Sequence, residues 1–393
     1  MFCQLEILRH CLPPSVRRTL DELPDSLDET YERVLREIQK PNQVHAHRLL
    51  QCLTVAIRPL DVRELGEILA VELDEVTGIP KLNKDWRWED QEQAVLAACS
   101  SLITVVHYPV GRIVQFSHFS VKEYLTSNRL TTSSGEVSQY HIRLESAHAT
   151  LAQACLAILF DLDEQVDGFN IGWIPLAEYS AEYWVNHAQP GNVPTHIQNA
   201  VERLFDPETR YFRLWVRVHD IDKDYWPMPS WETPSLIDPP ATVLYYASLC
   251  GFNGLMDRLL TKYPRHMHTI GGVHGTALHA ASRGNHCEVA QTIVGYGGDV
   301  NIRGTGGKTP LHVASAAGHL DAAHWLLFHG AHVNARDDRV VIHCMSWCTR
   351  HAWRYPLSHC GGTKCSRVWG VMEGPQVWDH DNAISRSKLL GCC

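Results

Sequence analysis

Over the first 130 positions the apolar residues follow two different periods. Between Pro24 and Ile38 (PDSLDETYERVLREI), Leu27, Tyr31, Val34, Leu35 and Ile38 fall on one helical face. Ser26 and Glu29 have the spacing of a capping box, and Pro41 stops the helix. A second helical pattern runs from about His45 to Ile57. RPLDVRELGEILA then turns and starts again, with Asp61 and Glu64 as another capping box and Leu65, Ile68 and Leu69 on one face. A third helix ends near Leu102. The period next falls to two: Ile103–His107 and Arg112–Phe116 read as short strands, joined by the turn signal Tyr108-Pro109-Val110-Gly111. SHFSVKEYL returns the chain to helix.

Helices followed by a small hairpin form the winged-helix pattern. Such a fold can read DNA through its third helix, which needs Arg, Lys, Asn or Gln to reach base edges. Ala94–Leu102 carries no basic residue, and residues 1–130 hold 15 Lys+Arg against 19 Asp+Glu. No nucleic-acid partner is expected.

Further along, three segments align: TVLYYASLCGFNGLMDRLL from Thr242, TALHAASRGNHCEVAQTIV from Thr276 and TPLHVASAAGHLDAAHWLL from Thr309. Their starts lie 34 and 33 residues apart. Two of them close with GGDVN (Gly297–Asn301) and GAHVN (Gly330–Asn334). The segments resemble the ankyrin repeat, and Thr309-Pro310-Leu311-His312-Val313-Ala314 matches its motif outright. Thr276 and Thr309 open the first helices, Pro310 suits a first helical turn, and Leu278 and Leu311 follow two residues after each Thr. His279 and His312 occupy the motif histidine, and the His312 imidazole can tie one repeat to the next. Gly284 and Gly318 are expected to supply positive φ between the two helices, which leaves the middle repeat one residue short. The first repeat carries Tyr245 where the motif has His. Leu320, Ala323, Leu326 and Leu327 make an apolar face for a neighbouring unit. Gly304–Thr309 (GTGGKT) imitates a phosphate-binding loop. The position needing the first Gly is Ile302, and the repeat register makes the segment a hairpin tip.

With 393 residues, 45% hydrophobic and 20% charged, the chain can bury a large core in two or three domains, and a disordered chain is excluded. The longest nearly uncharged stretch, Ala94–Val106, is too short to span a bilayer, and residues 1–20 show no secretory signal. A cytoplasmic protein with reduced thiols and no membrane contact is expected. The formal net charge of −9 also argues against a nucleic-acid backbone as partner. Five prolines between Tyr225 and Pro240 read as a linker, and TTSSGEVSQ after Leu130 as a softer break. Six of the 13 cysteines fall in the last 50 residues, together with Trp347, Trp353, Trp369 and Trp378 and almost no periodicity, which marks a boundary near Asp338.

LPDSLDETYERVL, IRPLDVRELGEIL, CSSLITV and FSHFSVKEYL together resemble the region that follows the nucleotide-binding domain in fungal NACHT–ankyrin proteins. These belong to the STAND class, with the NOD-like receptors. The likeness covers roughly residues 1–130 and extends more loosely to LAEYSAEYWVNHA (Leu176–Ala188). Taken with the repeats and the composition breaks above, it gives an expected mainly α fold: the end of a helical domain (1–42), a winged-helix module (43–130), a helical linker domain (131–224), the Pro-rich linker (225–240), about three ankyrin repeats (241–338) and an irregular tail (339–393). In that family the histidine opening the last winged-helix segment contacts the ADP phosphate, and His118 matches it. The residues alone also admit a histidine near a helix start, satisfied by a neighbouring carbonyl. The chain has no phosphate-binding loop, so the nucleotide-binding domain is expected to be absent and the chain to correspond to the C-terminal half of such a receptor.

The remaining chemistry is sparse. His343-Cys344-x3-Cys348-x11-Cys360-x4-Cys365 has zinc-like spacing without an accompanying core, and Cys392-Cys393 resembles a double-prenylation end. Neither is assigned; no metal and no cofactor are expected. G-x-S-x-G and H-E-x-x-H are missing from the sequence, and Tyr179, Tyr183 and Trp184 sit at helical spacing as core. The expectation is a non-enzymatic protein that binds a protein through its ankyrin surface, using Ser282, Arg283, Arg303 and Lys308. The alternative is a regulator whose winged helix docks on the nucleotide-binding domain of a related STAND protein through His118.

Overall fold

The computed structural model describes residues 26–73, 77–109, 111–132, 135–166, 170–188, 195–223 and 240–338. The zinc-like and prenylation-like spacings, the Pro-rich linker up to Pro239 and the tail from residue 339 lie outside the described residues. The chain divides into two units, residues 1–259 and 260–393.

In the first unit, α1 (Leu27–Glu37) starts at Ser26, whose Oγ accepts from the Glu29 N–H at 3.2 Å. The expected face of Tyr31, Val34, Leu35 and Ile38 is buried. A short 3₁₀ turn over Lys40–Asn42 absorbs Pro41, and α2 (Gln43–Val55) follows. The segment read as a plain turn contributes a strand: β1 (Leu60–Asp61) pairs with a later strand before α3 (Val62–Leu69) begins. The capping box of α3 is complete. Asp61 Oδ1 accepts from the Arg63 N–H at 2.8 Å, and Glu64 Oε2 accepts from the Asp61 N–H at 2.8 Å. β2 (Val71–Glu72) and β3 (Lys81–Leu82) form a two-stranded ribbon, and α4 (Gln91–Cys99) leads into a 3₁₀ turn ending at Leu102. β4 (Ile103–Tyr108) and β5 (Gly111–Phe116) are antiparallel, with Ile103 opposite Phe116 and Tyr108 opposite Gly111. The sheet order is β1-β5-β4, with Leu60 opposite Val114. α5 (Phe119–Thr126) and α6 (Asn128–Thr132) follow.

The centre of this unit is α7 (Leu144–Asp161), ten of whose residues are buried. It packs against both α2 and α8 (Ala177–Ala188), so the winged-helix region and the helical linker share one core. Two more helices, α9 (Thr195–Leu204) and α10 (Tyr211–Val218), bring large aromatics together. Trp184 meets Trp215 edge-on at 5.3 Å and stacks on Phe252 at 5.5 Å, while Tyr246 lies 5.5 Å from Phe212. Tyr245, Tyr246 and Phe252 belong to the first repeat, α11 (Val243–Cys250) and α12 (Asn253–Lys262). Burial of aromatics on this scale is a strong packing term, and it explains the departure of that repeat from the motif. Tyr245 Oη donates to the buried carboxylate of Asp222 at 2.8 Å, and Tyr246 Oη donates to Asp220 at 2.7 Å.

In the second unit, α13 (Ala277–Arg283) and α14 (Cys287–Gly295) form one helix pair, and α15 (Pro310–Ala317) and α16 (Leu320–Phe328) the next. First helix packs on first helix and second on second, around a core of Val300, Leu311, Ala314, Ala322 and Leu326. Two expectations need correction. Leu320 is 54% exposed and does not join the apolar face, because it opens α16 on the outside of the pair. Gly284 has φ −87° and does not make the stop; the left-handed residue is Asn285, at φ 60°. Asn285 follows Thr276 by nine residues, as Gly318 (φ 78°) follows Thr309 and Gly251 (φ 79°) follows Thr242. The middle repeat is therefore full length, with Asn, the residue that tolerates this conformation best after Gly, at the stop.

Candidate functional site

The repeats are joined by polar side chains that fix the hairpin tip between them. Thr276 caps α13 in a reciprocal box with His279: the Thr276 N–H donates to His279 Nδ1 at 3.2 Å. That uses the Nδ1 lone pair, so Nε2 carries the proton and donates to the Lys308 carbonyl of the next repeat at 2.9 Å. Burial, with the charge of His312 adding, pushes His279 down to about 4, and it is neutral at pH 7. Thr309 and His312 repeat the same box one unit later. Three further ties were not legible from the motif. His319 Nε2 donates to the Arg283 carbonyl at 2.8 Å, the Ala322 N–H donates to Asn285 Oδ1 at 3.1 Å, and Asn301 brackets the next turn, donating to Gly330 O at 3.0 Å and accepting from the His332 N–H at 2.7 Å.

Of the four residues expected to meet a partner, Ser282 is misplaced by the sequence reading. It is 1% exposed, and its hydroxyl donates to the Leu278 carbonyl at 2.7 Å, so it belongs to the helix interior. Arg303 is exposed, and Arg283 and Lys308 are half-buried. The tip carrying Arg303 and Lys308 closes through a 3₁₀ turn over Thr305–Gly307 and a bond from the Gly304 N–H to Lys308 O at 2.7 Å. It sits directly on the preceding tip: a Cβ on Gly304 would come within 2.7 Å of the His274 carbonyl oxygen, so only glycine fits there. Leu278, Leu311 and Pro310 are buried structural members of the repeats.

His118 caps α5. The Ser120 N–H donates to His118 Nδ1 at 3.3 Å, and Ser120 Oγ lies 2.6 Å from the same nitrogen and 2.7 Å from Tyr31 Oη. The neighbour that satisfies the ring is thus a backbone N–H, not a carbonyl. With Nδ1 accepting, the neutral ring carries its proton on Nε2, and the residue is exposed beside Phe119. A second histidine cluster was invisible in the sequence: His148 Nδ1 faces His187 Nδ1 at 2.9 Å, and His187 Nε2 meets Tyr179 Oη at 2.8 Å. Tyr179 and Trp184 are fully buried as expected of core residues, whereas Tyr183, expected with them, is only half-buried. Among the described residues no group of three His, Cys, Asp or Glu could hold a metal ion, and no helix is long and apolar enough to cross a membrane.

Comparison with known proteins agrees with this architecture. Residues 241–337 match the ankyrin-repeat family (three copies), and residues 31–137 match the winged helix domain of GPI inositol-deacylase. The azaphilone pigments biosynthesis cluster protein L of Monascus ruber is 31% identical over 297 residues. That span is 72% of this chain and 61% of the Monascus protein, so the chain covers less than two thirds of this curated relative. The chain is mainly helical, with ankyrin repeats and a winged-helix domain of the GPI-inositol-deacylase type.

Proposed function

We propose that this chain is a non-enzymatic cytoplasmic protein that engages a protein partner through its ankyrin repeats. The observation that carries the reading is the tip at residues 303–308. Its backbone is held by His279 and by its own turn, while the Arg303 side chain remains exposed. A surface fixed before binding loses little entropy on association. Among the described residues Cys52, Cys99, Cys155 and Cys287 are free thiols, which suits a reducing compartment. A photo-crosslinking amino acid at position 303 of the full chain should capture a protein that the same group at Arg213, an exposed helix position in the first unit, does not. Identical capture from both positions, or none from 303, removes the reading.

A second reading rests on His118 and on the resemblance of the first 130 residues to NACHT–ankyrin proteins. Its Nε2–H is a ready donor for a phosphate oxygen, so the winged helix could dock on the nucleotide-binding domain of a related STAND protein and report its bound ADP. Titration calorimetry of the chain into such a domain, with and without ADP, tests this. His118→Asn keeps a good helix cap but removes the Nε2 donor; unchanged ADP dependence in that variant ends the idea.

A further inference from the structure

Charge is segregated in the second unit. Residues 260–287 and 300–320 contain no Asp or Glu. These stretches hold both hairpin tips and both first helices, α13 and α15. Their cations include Arg283, Arg303 and Lys308. Most of the carboxylates lie elsewhere, with Glu288 and Asp321 opening the second helices α14 and α16 and Asp299 in the turn after α14; Asp338 is the exception, its carboxylate lying against Gly307 at the end of the second tip. This is the reverse of the whole chain, whose formal net charge is −9.

The positive groups converge. Arg283 and Lys308 both act on His274, which burial first and these two charges next push down to about 4. His274 is on the first tip, whose neighbours Ile270 and Val273 are 60% and 51% exposed, and Gly304 of the second tip rests on its carbonyl. Neither Arg303 nor Lys308 has an ion-pair partner among the described residues. The strip ends at Asp338, whose N–H donates to the Gly306 carbonyl at 3.1 Å.

From this arrangement we infer that the tips of the second unit bind an acidic peptide segment, with Arg303 and Lys308 as its charge contacts and Arg283 behind them. The inference rests on the interaction reading above and names the chemistry of the partner. Two cations on a pre-formed edge attract carboxylates without reorganisation, and most of their effect is on encounter and choice of partner.

The test uses the full chain and fluorescein-labelled deca-glutamate, followed by anisotropy. Binding should weaken as salt rises from about 50 to 300 mM, and Arg303→Glu with Lys308→Glu should weaken it at least tenfold. Arg33→Glu with Arg213→Glu changes the net charge equally on helices of the first unit and should leave binding within twofold. Absence of peptide binding overturns the inference, as does an equal loss in the control, or tighter binding of a ten-base-pair DNA duplex. Capture of a partner from position 303 together with no deca-glutamate binding would sink the acidic partner and leave the interaction reading standing.

Discussion

The Nδ1 atoms of His148 and His187 face each other at 2.9 Å, so one of them must offer a lone pair to the other. Doubly protonated rings cannot keep this contact. Tyr179 Oη, which accepts from the Ile57 N–H at 3.2 Å, meets the far nitrogen of His187 and extends the chain of bonds from α8 to the end of α2. The Arg58 guanidinium lies over the Tyr179 ring at 4.9 Å and is paired with Glu64 at 2.7 Å.

Acid should therefore loosen the first unit. Burial, then the charge of His148, pushes His187 down to about 4, below the unfolded value near 6.5. The unfolded chain binds the proton first as pH falls, so this contribution to stability is complete above about pH 6.5 and is lost between there and about pH 4. Urea unfolding across that range should show it. His187→Leu should flatten the slope by up to about 1.4 kcal/mol per pH unit while costing about 1–3 kcal/mol at pH 7.5 through lost hydrogen bonds. A slope equal to that of the wild type contradicts the assignment.

At the helix stops, Gly318→Ala should destabilise by about 1–2 kcal/mol because it forces a side chain into φ 78°. Gly284→Ala, at φ −87°, avoids that strain and should stay within about 0.5 kcal/mol. Asn285→Gly loses only the bond to the Ala322 N–H, whereas Asn285→Ala adds backbone strain and should be the worse of the two. Thermal melts of the four variants give the order, and a Gly284 variant as damaged as the Gly318 one would restore the simpler reading of the motif.

Returning the first repeat to its motif should harm the protein. Tyr245→His breaks a hydrogen bond to a buried carboxylate, worth about 1.5–3 kcal/mol for a charged acceptor, and replaces the phenol ring packed on Tyr246 with a smaller imidazole. Denaturant unfolding should register the loss. A gain in stability would mean that the repeat's own capping outweighs its docking on the linker helices.

His118→Ala should cost about 1 kcal/mol by removing the cap of α5, and His118→Asn should recover most of it. Guanidinium titrations of the two variants separate this local role from any role in binding. Equal destabilisation by both substitutions would show that Ser120 and Tyr31 depend on the imidazole itself.

Local physics made much of the chain legible. A cap such as Ser26 or Asp61 satisfies backbone donors within one turn, so helix starts are written in three or four residues. The β4–β5 hairpin is likewise announced by its own turn, and the repeats by a 33–34-residue period. The site was less open to reading. Arg303 and Lys308 could be placed on a tip from the repeat register, yet Ser282, the next-to-last residue of α13, is buried. Its burial depends on the neighbouring helix and not on its own neighbours in sequence.

The amino-acid order by itself determined where helices start, which segments repeat, and that His279 and His312 occupy the motif position of the repeats. All of these are short-range consequences of hydrogen-bond valence and helical period. Only the tertiary structure decided that Leu60 pairs with Val114, that His148 meets His187 across 39 residues, and that an aromatic cluster takes over the first repeat. Those relations are contacts between elements far apart in sequence. They are selected by how large side chains fill shared space and by which buried polar atoms find partners, and no local pattern records either.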